Sequence, residues 1–97
     1  MLETIEKAEL KSALAATIER HARRLERFGN DIFEHPEIGF REERTATAIA
    51  EALRGLGLDV EEGLALTGVR ARLRCAGKGP TICLLAELDG LPVPSHP

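Results

Sequence analysis

Apolar residues recur at steps of three and four through the first third of the chain: Leu10, Leu14, Ile18, Ala22, Leu25, Phe28 and Ile32. On a helix of 3.6 residues per turn they form one stripe, which predicts α-helix from about Lys7 to Phe33. Thr4 stands where an N-cap would start it, and Gly29-Asn30 and then His35-Pro36 are positioned to bend or end it. A second stripe, Thr45, Ile49, Leu53 and Leu56, predicts another helix from about Arg41 to Leu56. Ala46, Ala50 and Ala52 leave its neighbours room to pack closely. Glu42 and Glu43 in its first turn suit the positive end of the helix dipole, and Gly57 supplies a C′ stop.

Beyond Gly57 the period changes from 3.6 to 2. Leu58 to Glu62 reads as a short, half-polar strand. Val69 to Cys75 alternates, with Val69, Ala71, Leu73 and Cys75 toward a core and Arg70, Arg72 and Arg74 away from it. Thr81 to Ala86 is apolar throughout, as a strand covered on both faces would be. The turn Ala76-Gly77-Lys78-Gly79-Pro80 predicts an antiparallel hairpin of the last two. The expected fold class is therefore α/β: two N-terminal helices followed by three strands, with no repeat, low-complexity stretch or linker.

Ninety-seven residues allow one small domain with a modest core. A composition 43% hydrophobic and 30% charged is that of a folded chain, not a disordered one. A net charge of −3 argues against nucleic acid and anionic membranes as partners. No apolar run nears the roughly 18 residues of a spanning helix. The first residues lack a signal-peptide core, so the expected location is cytoplasmic. Cys75 and Cys83 flank the Gly-Lys-Gly turn. In a hairpin symmetric about Lys78 their Cα atoms are diagonal neighbours about 7–8 Å apart, too far for easy bridging, so buried free thiols are expected. The turn is not a phosphate loop, because the spacing to a Lys-Ser/Thr pair and the following helix are missing. Arg20, Arg23, Arg24 and Arg27 alternate with Glu19 and Glu26 as on a solvated helix face. His21, at the edge of the stripe, reads as packed or half-exposed. The row Arg70, Arg72 and Arg74 could bind an anion, but more often such a row faces solvent or pairs with carboxylates of a neighbouring element.

The chemistry-bearing residues cluster after the third predicted strand. Glu87 and Asp89 are one residue apart, so in an extended chain they point the same way. Two carboxylates so placed can hold a divalent cation or orient a histidine that does; alternatively they only cap a loop. His96 follows on a loop with Pro92, Pro94 and Pro97. The end of a buried strand opening onto such a loop is where α/β proteins keep ligand sites.

Two segments carry a family resemblance. His35-Pro36-Glu37-Ile38-Gly39-Phe40, with Glu42-Glu43 and Thr45-Ala46 after it, resembles the N-terminal signature of the zinc-dependent amidohydrolases. This family holds aminoacylases, small carboxypeptidases and aminobenzoyl-glutamate or auxin-conjugate hydrolases. Ala86-Glu87-Leu88-Asp89-Gly90-Leu91-Pro92 resembles its strand-end motif. The resemblance covers about residues 8–97 and is strongest with the amidohydrolase branch. It implies part of a mixed-sheet catalytic domain of the co-catalytic zinc peptidase fold, in which two divalent metals polarise a scissile amide and a glutamate activates water. Asp89 matches the residue that orients a metal ligand. Glu87 stands where several branches carry a ligating histidine and the amidohydrolase branch commonly carries an acid. The main ligands of that branch come from a Cys-Gly-His segment shortly after the strand-end motif, then a Glu-Glu pair and two more histidines beyond it. These residues hold no Cys-Gly-His, and the family's later ligands would follow it. His96-Pro97 resembles the start of the loop leading to Cys-Gly-His, and the His35 loop is more plausibly structural than metal-binding.

The resemblance thus implies that residues 1–97 are the N-terminal, incomplete part of a catalytic domain. The parent would use zinc or another divalent metal to hydrolyse amide bonds of N-acyl amino acids or related small amides. These residues alone would bind no metal tightly and would be inactive. The competing reading is a non-enzymatic helix-helix-three-strand module that binds a partner or a second copy through an exposed sheet edge.

Overall fold

A computed structural model describes residues 6–94, so Thr4 and His96 lie outside the described residues. The chain divides into two units, residues 1–34 and 35–97. The first is helix α1, Lys7–Glu34, unbroken through Gly29 and ending before His35-Pro36. A proline disfavours helical geometry in the residue before it, which places the stop. None of the residues of α1 is buried, and its stripe residues Leu10, Leu14, Ile18 and Leu25 stay exposed. Thr17 donates its hydroxyl back to the Ala13 carbonyl at 2.9 Å and accepts from Arg20 at 3.3 Å. His21 is exposed.

The second unit is built around helix α2, Glu43–Gly55. The periodicity of the sequence places this helix to within two residues at each end. Its C-terminus closes in a Schellman motif: Gly57 N–H donates to Arg54 at 2.9 Å and Leu58 N–H to Leu53 at 3.3 Å. Gly57, at φ +80°, occupies the left-handed position that this motif requires. The chain then reverses into strand β1, Asp59–Leu64, which pairs antiparallel with β2, Gly68–Arg72. Helix α2 packs on both strands. The small core is Thr45, Ala46 and Ala50, all buried, with Val60, Val69 and Ala71 half-buried on the hairpin. Alanines at these helix positions let α2 approach the strands closely.

Two strands form among the described residues, where three were expected, and their pairing also differs. The hairpin joins β1 to β2 through Ala65-Leu66-Thr67, and Thr81 to Ala86 is not a strand. A wholly apolar strand is stable only when neighbours pair with its edges and cover both faces. The described residues supply no such neighbours, and Leu84 and Leu85 are 95% and 94% exposed. Cys75 and Cys83 are exposed free thiols for the same reason, since the hairpin that would have buried them does not form. Of the four residues predicted to face a core along the second strand, Val69 and Ala71 are half-buried, and Leu73 and Cys75 are exposed.

The arginine row resolves toward pairing. Arg70 lies opposite Glu61 in the register and reaches both of its carboxylate oxygens, at 2.8 and 2.9 Å. That hydrogen-bonded ion pair holds the Arg70 guanidinium above its ordinary pKa. Arg72 faces Asp59 in the same ladder. Arg54 of α2 bridges to Glu62 of β1 at 2.6 Å, adding a surface tie between helix and hairpin.

Candidate functional site

The loop 35–42 enters α2 through a tight turn, in which Arg41 N–H donates to the Ile38 carbonyl at 3.0 Å. Phe40 sits at φ +64° within it, a left-handed conformation uncommon for a bulky residue. The turn folds Glu37 back over the start of the helix. One carboxylate oxygen accepts from Thr45 N–H at 2.6 Å, the other from Arg44 N–H at 3.1 Å. These are two of the N–H groups that the first turn of a helix leaves without intrahelical partners. Glu42, the residue in the N-cap position, makes no side-chain cap itself. Glu37 therefore caps α2 from outside the helix.

Partial burial of the Glu37 carboxyl pushes its pKa up. The Thr45 hydroxyl, the Thr45 and Arg44 N–H groups and the Arg44 charge outweigh that, and the net shift is downward. The buried Thr45 Oγ1 makes no hydrogen bond of good geometry. Its effect on Glu37 is best understood as that of a nearby dipole.

Glu42 is 9% exposed, and its carboxylate accepts the Thr67 hydroxyl at 2.9 Å, which ties the entry to α2 to the tip of the hairpin. A third tie reaches the strand-end segment, where Gly90 N–H donates to the Glu37 carbonyl at 2.8 Å. A Cβ on Gly90 would stand 3.3 Å from Pro36 Cβ, so the two loops run in close contact. The two sequence segments singled out above, far apart in the chain, thus meet in space.

Around Gly90 burial alternates. Leu88 and Gly90 are half-buried, and Glu87 and Asp89 are exposed. Among the described residues no three of His, Cys, Asp and Glu gather as a metal-binding group. Two exposed carboxylates fall short of the three protein ligands that a catalytic zinc takes. The donor set present does not fit a metal by itself. His35 is exposed on the loop.

Sequence reasoning found the two segments but missed what Glu37 and Glu42 do. Glu37 caps from six positions before the first helical residue, where no local capping rule looks. The partner of Glu42, Thr67, lies in a turn that the sequence pattern did not mark.

Known proteins align with about two thirds of the chain. A 63-residue stretch, 64% of this chain, is 44% identical to thermostable carboxypeptidase 1 of Saccharolobus solfataricus. Hippurate hydrolase of Campylobacter jejuni is 37% identical over 68 residues, 70% of this chain. An IAA-amino acid hydrolase of Arabidopsis thaliana is 35% identical over 69 residues, 71% of this chain. The kinship is with the amidohydrolase family. The chain spans only 16%, 18% and 15% of the lengths of these three amidohydrolase relatives. No protein-family model matches the chain, and no solved structure matches it. No helix among the described residues is long and apolar enough to cross a membrane.

Proposed function

We propose that this chain is part of a metal-dependent hydrolase that cleaves the amide bond of an N-acyl amino acid or a related small conjugate. The relatives named for hippurate and IAA-amino acid hydrolysis support that substrate class. In this reading the described residues are scaffold. Asp89 would support a ligand of a divalent metal, zinc by expectation, and Glu87 would stand beside it. The observation that carries the reading is the hydrogen bond between Glu37 and Gly90. It joins the two segments that resemble the family and makes one structural unit of them.

Two measurements test the proposal. The polypeptide encoded by the gene, with zinc supplied, should hydrolyse N-benzoyl or N-acetyl amino acids, and the coding sequence downstream of Pro97 should read Cys-Gly-His within about twenty residues. The absence of both the activity and that segment would overturn the assignment. Calorimetric titration of residues 1–97 with zinc should show no tight stoichiometric binding, and such binding would overturn the scaffold role.

The competing reading is an interaction module. The exposure of Ile82, Leu84 and Leu85 favours it, since this apolar segment lacks cover. Sedimentation separates the two: a stable, discrete oligomer of residues 1–97 supports the module, and a weakly stable monomer supports the scaffold.

A further inference from the structure

We propose that Glu37 is a positioning residue that holds the strand-end loop, and with it Asp89, against the start of α2. The inference deepens the hydrolase reading and rests on it for the meaning of Asp89, but its geometry stands by itself. One residue serves two directions at once. The Glu37 side chain is fixed by two helix N–H groups at 2.6 and 3.1 Å. Its main-chain carbonyl, thereby fixed in orientation, accepts Gly90 N–H at 2.8 Å. Gly90 immediately follows Asp89, so the position of that acceptor sets where the exposed carboxylate stands.

Pro36 adds a second restraint on the same loop. Pro36 stands close against Gly90, with Pro36 Cβ 3.3 Å and Pro36 Cα 3.7 Å from where a Gly90 Cβ would be. Proline also fixes its own φ, so the backbone leading into Glu37 has little freedom. Helix, proline and glycine together restrain how the loop docks. A carboxylate that orients a ligand needs such restraint, because small misplacements in supporting residues weaken a site.

The test is amide hydrogen exchange by NMR on the 97-residue chain, with Glu37→Ala and Glu37→Gln variants. Glu37→Ala removes the anchor and should speed Gly90 exchange at least five-fold. Glu37→Gln keeps an acceptor oxygen and should recover at least half of that loss on a logarithmic scale. Gly57 N–H, at the far end of α2, reports the general loss of stability and should speed clearly less than Gly90 in both. Unchanged Gly90 exchange in Glu37→Ala would overturn the proposal. So would equal loss of protection at Gly57 and Gly90, which would make Glu37 a general stabiliser only. Should Glu37→Ala fail to fold, the wild-type chain decides: a scalar coupling between Gly90 nitrogen and the Glu37 carbonyl carbon is expected, and its absence overturns the proposal. None of these readouts depends on metal or activity, so a failed hydrolase assay leaves them intact.

Discussion

The buried carboxylate of Glu42 accepts the hydroxyl of Thr67 at 2.9 Å, joining the first turn of α2 to the tip of the β1–β2 hairpin. A hydrogen bond to a charged, buried group contributes about 1.5–3 kcal/mol. Thr67→Val keeps the shape and removes the donor, so it should cost about that much in urea unfolding. Thr67→Ser restores the hydroxyl and should recover most of the loss. Equal stability of the Val and Ser variants would show that Glu42 finds water instead.

The Glu37 cap predicts a pH dependence with a definite sign. The folded state lowers the Glu37 pKa, so the ionised form stabilises the fold. That contribution is complete above the ordinary glutamate range and fades as pH falls below about 4 toward the lowered folded value. At pH 7, Glu37→Ala should cost about 0.5–2 kcal/mol, as other lost helix caps do. The difference between wild type and Glu37→Ala should narrow in acid. A gap that widens as pH falls would contradict the cap.

The hairpin turn offers a stabilising change and a disruptive one. Leu66 stands at φ +83° and is 74% exposed, so it bears left-handed strain with little packing in return. Leu66→Gly should raise stability by about 1 kcal/mol. Gly68 is different, because a Cβ there would come 2.5 Å from the Leu64 carbonyl oxygen. Gly68→Ala forces the backbones apart and should destabilise the hairpin by about 1–3 kcal/mol. Thermal melts of the two variants should move in opposite directions.

Exposed apolar residues after the hairpin predict a solubility effect without a folding effect. Leu84 and Leu85 touch little of the described fold. Leu84→Lys should leave unfolding free energy within about 0.5 kcal/mol of wild type. The same change should reduce aggregation seen by light scattering, since it breaks an uncharged β-prone run. A large loss of stability would mean that the segment packs.

Local pattern revealed the helices because each is written in its own residues: the stripe from Leu10 to Ile32, and Thr45 to Leu53 followed by Gly57. It also located the two segments of the candidate site. The strand pairing was not legible, because Thr81 to Ala86 is apolar enough to be a buried strand but burial depends on neighbours that no local window contains. The link from Glu37 to Gly90 was hidden for a related reason. A main-chain carbonyl carries no residue-specific signal, so nothing in the letters says which N–H it will meet.

The tie between Glu37 and Gly90 also sets an order of assembly. Helix α2, its Schellman end and the hairpin close through contacts between near neighbours in sequence, which form fast and at small entropic cost. The Glu37 to Gly90 bond spans most of the second unit, and it gains its fixed acceptor only after α2 exists to hold Glu37. The strand-end loop should therefore be the last piece to dock during folding and the first to leave on unfolding, so that the region bearing Asp89 would report the health of everything built before it.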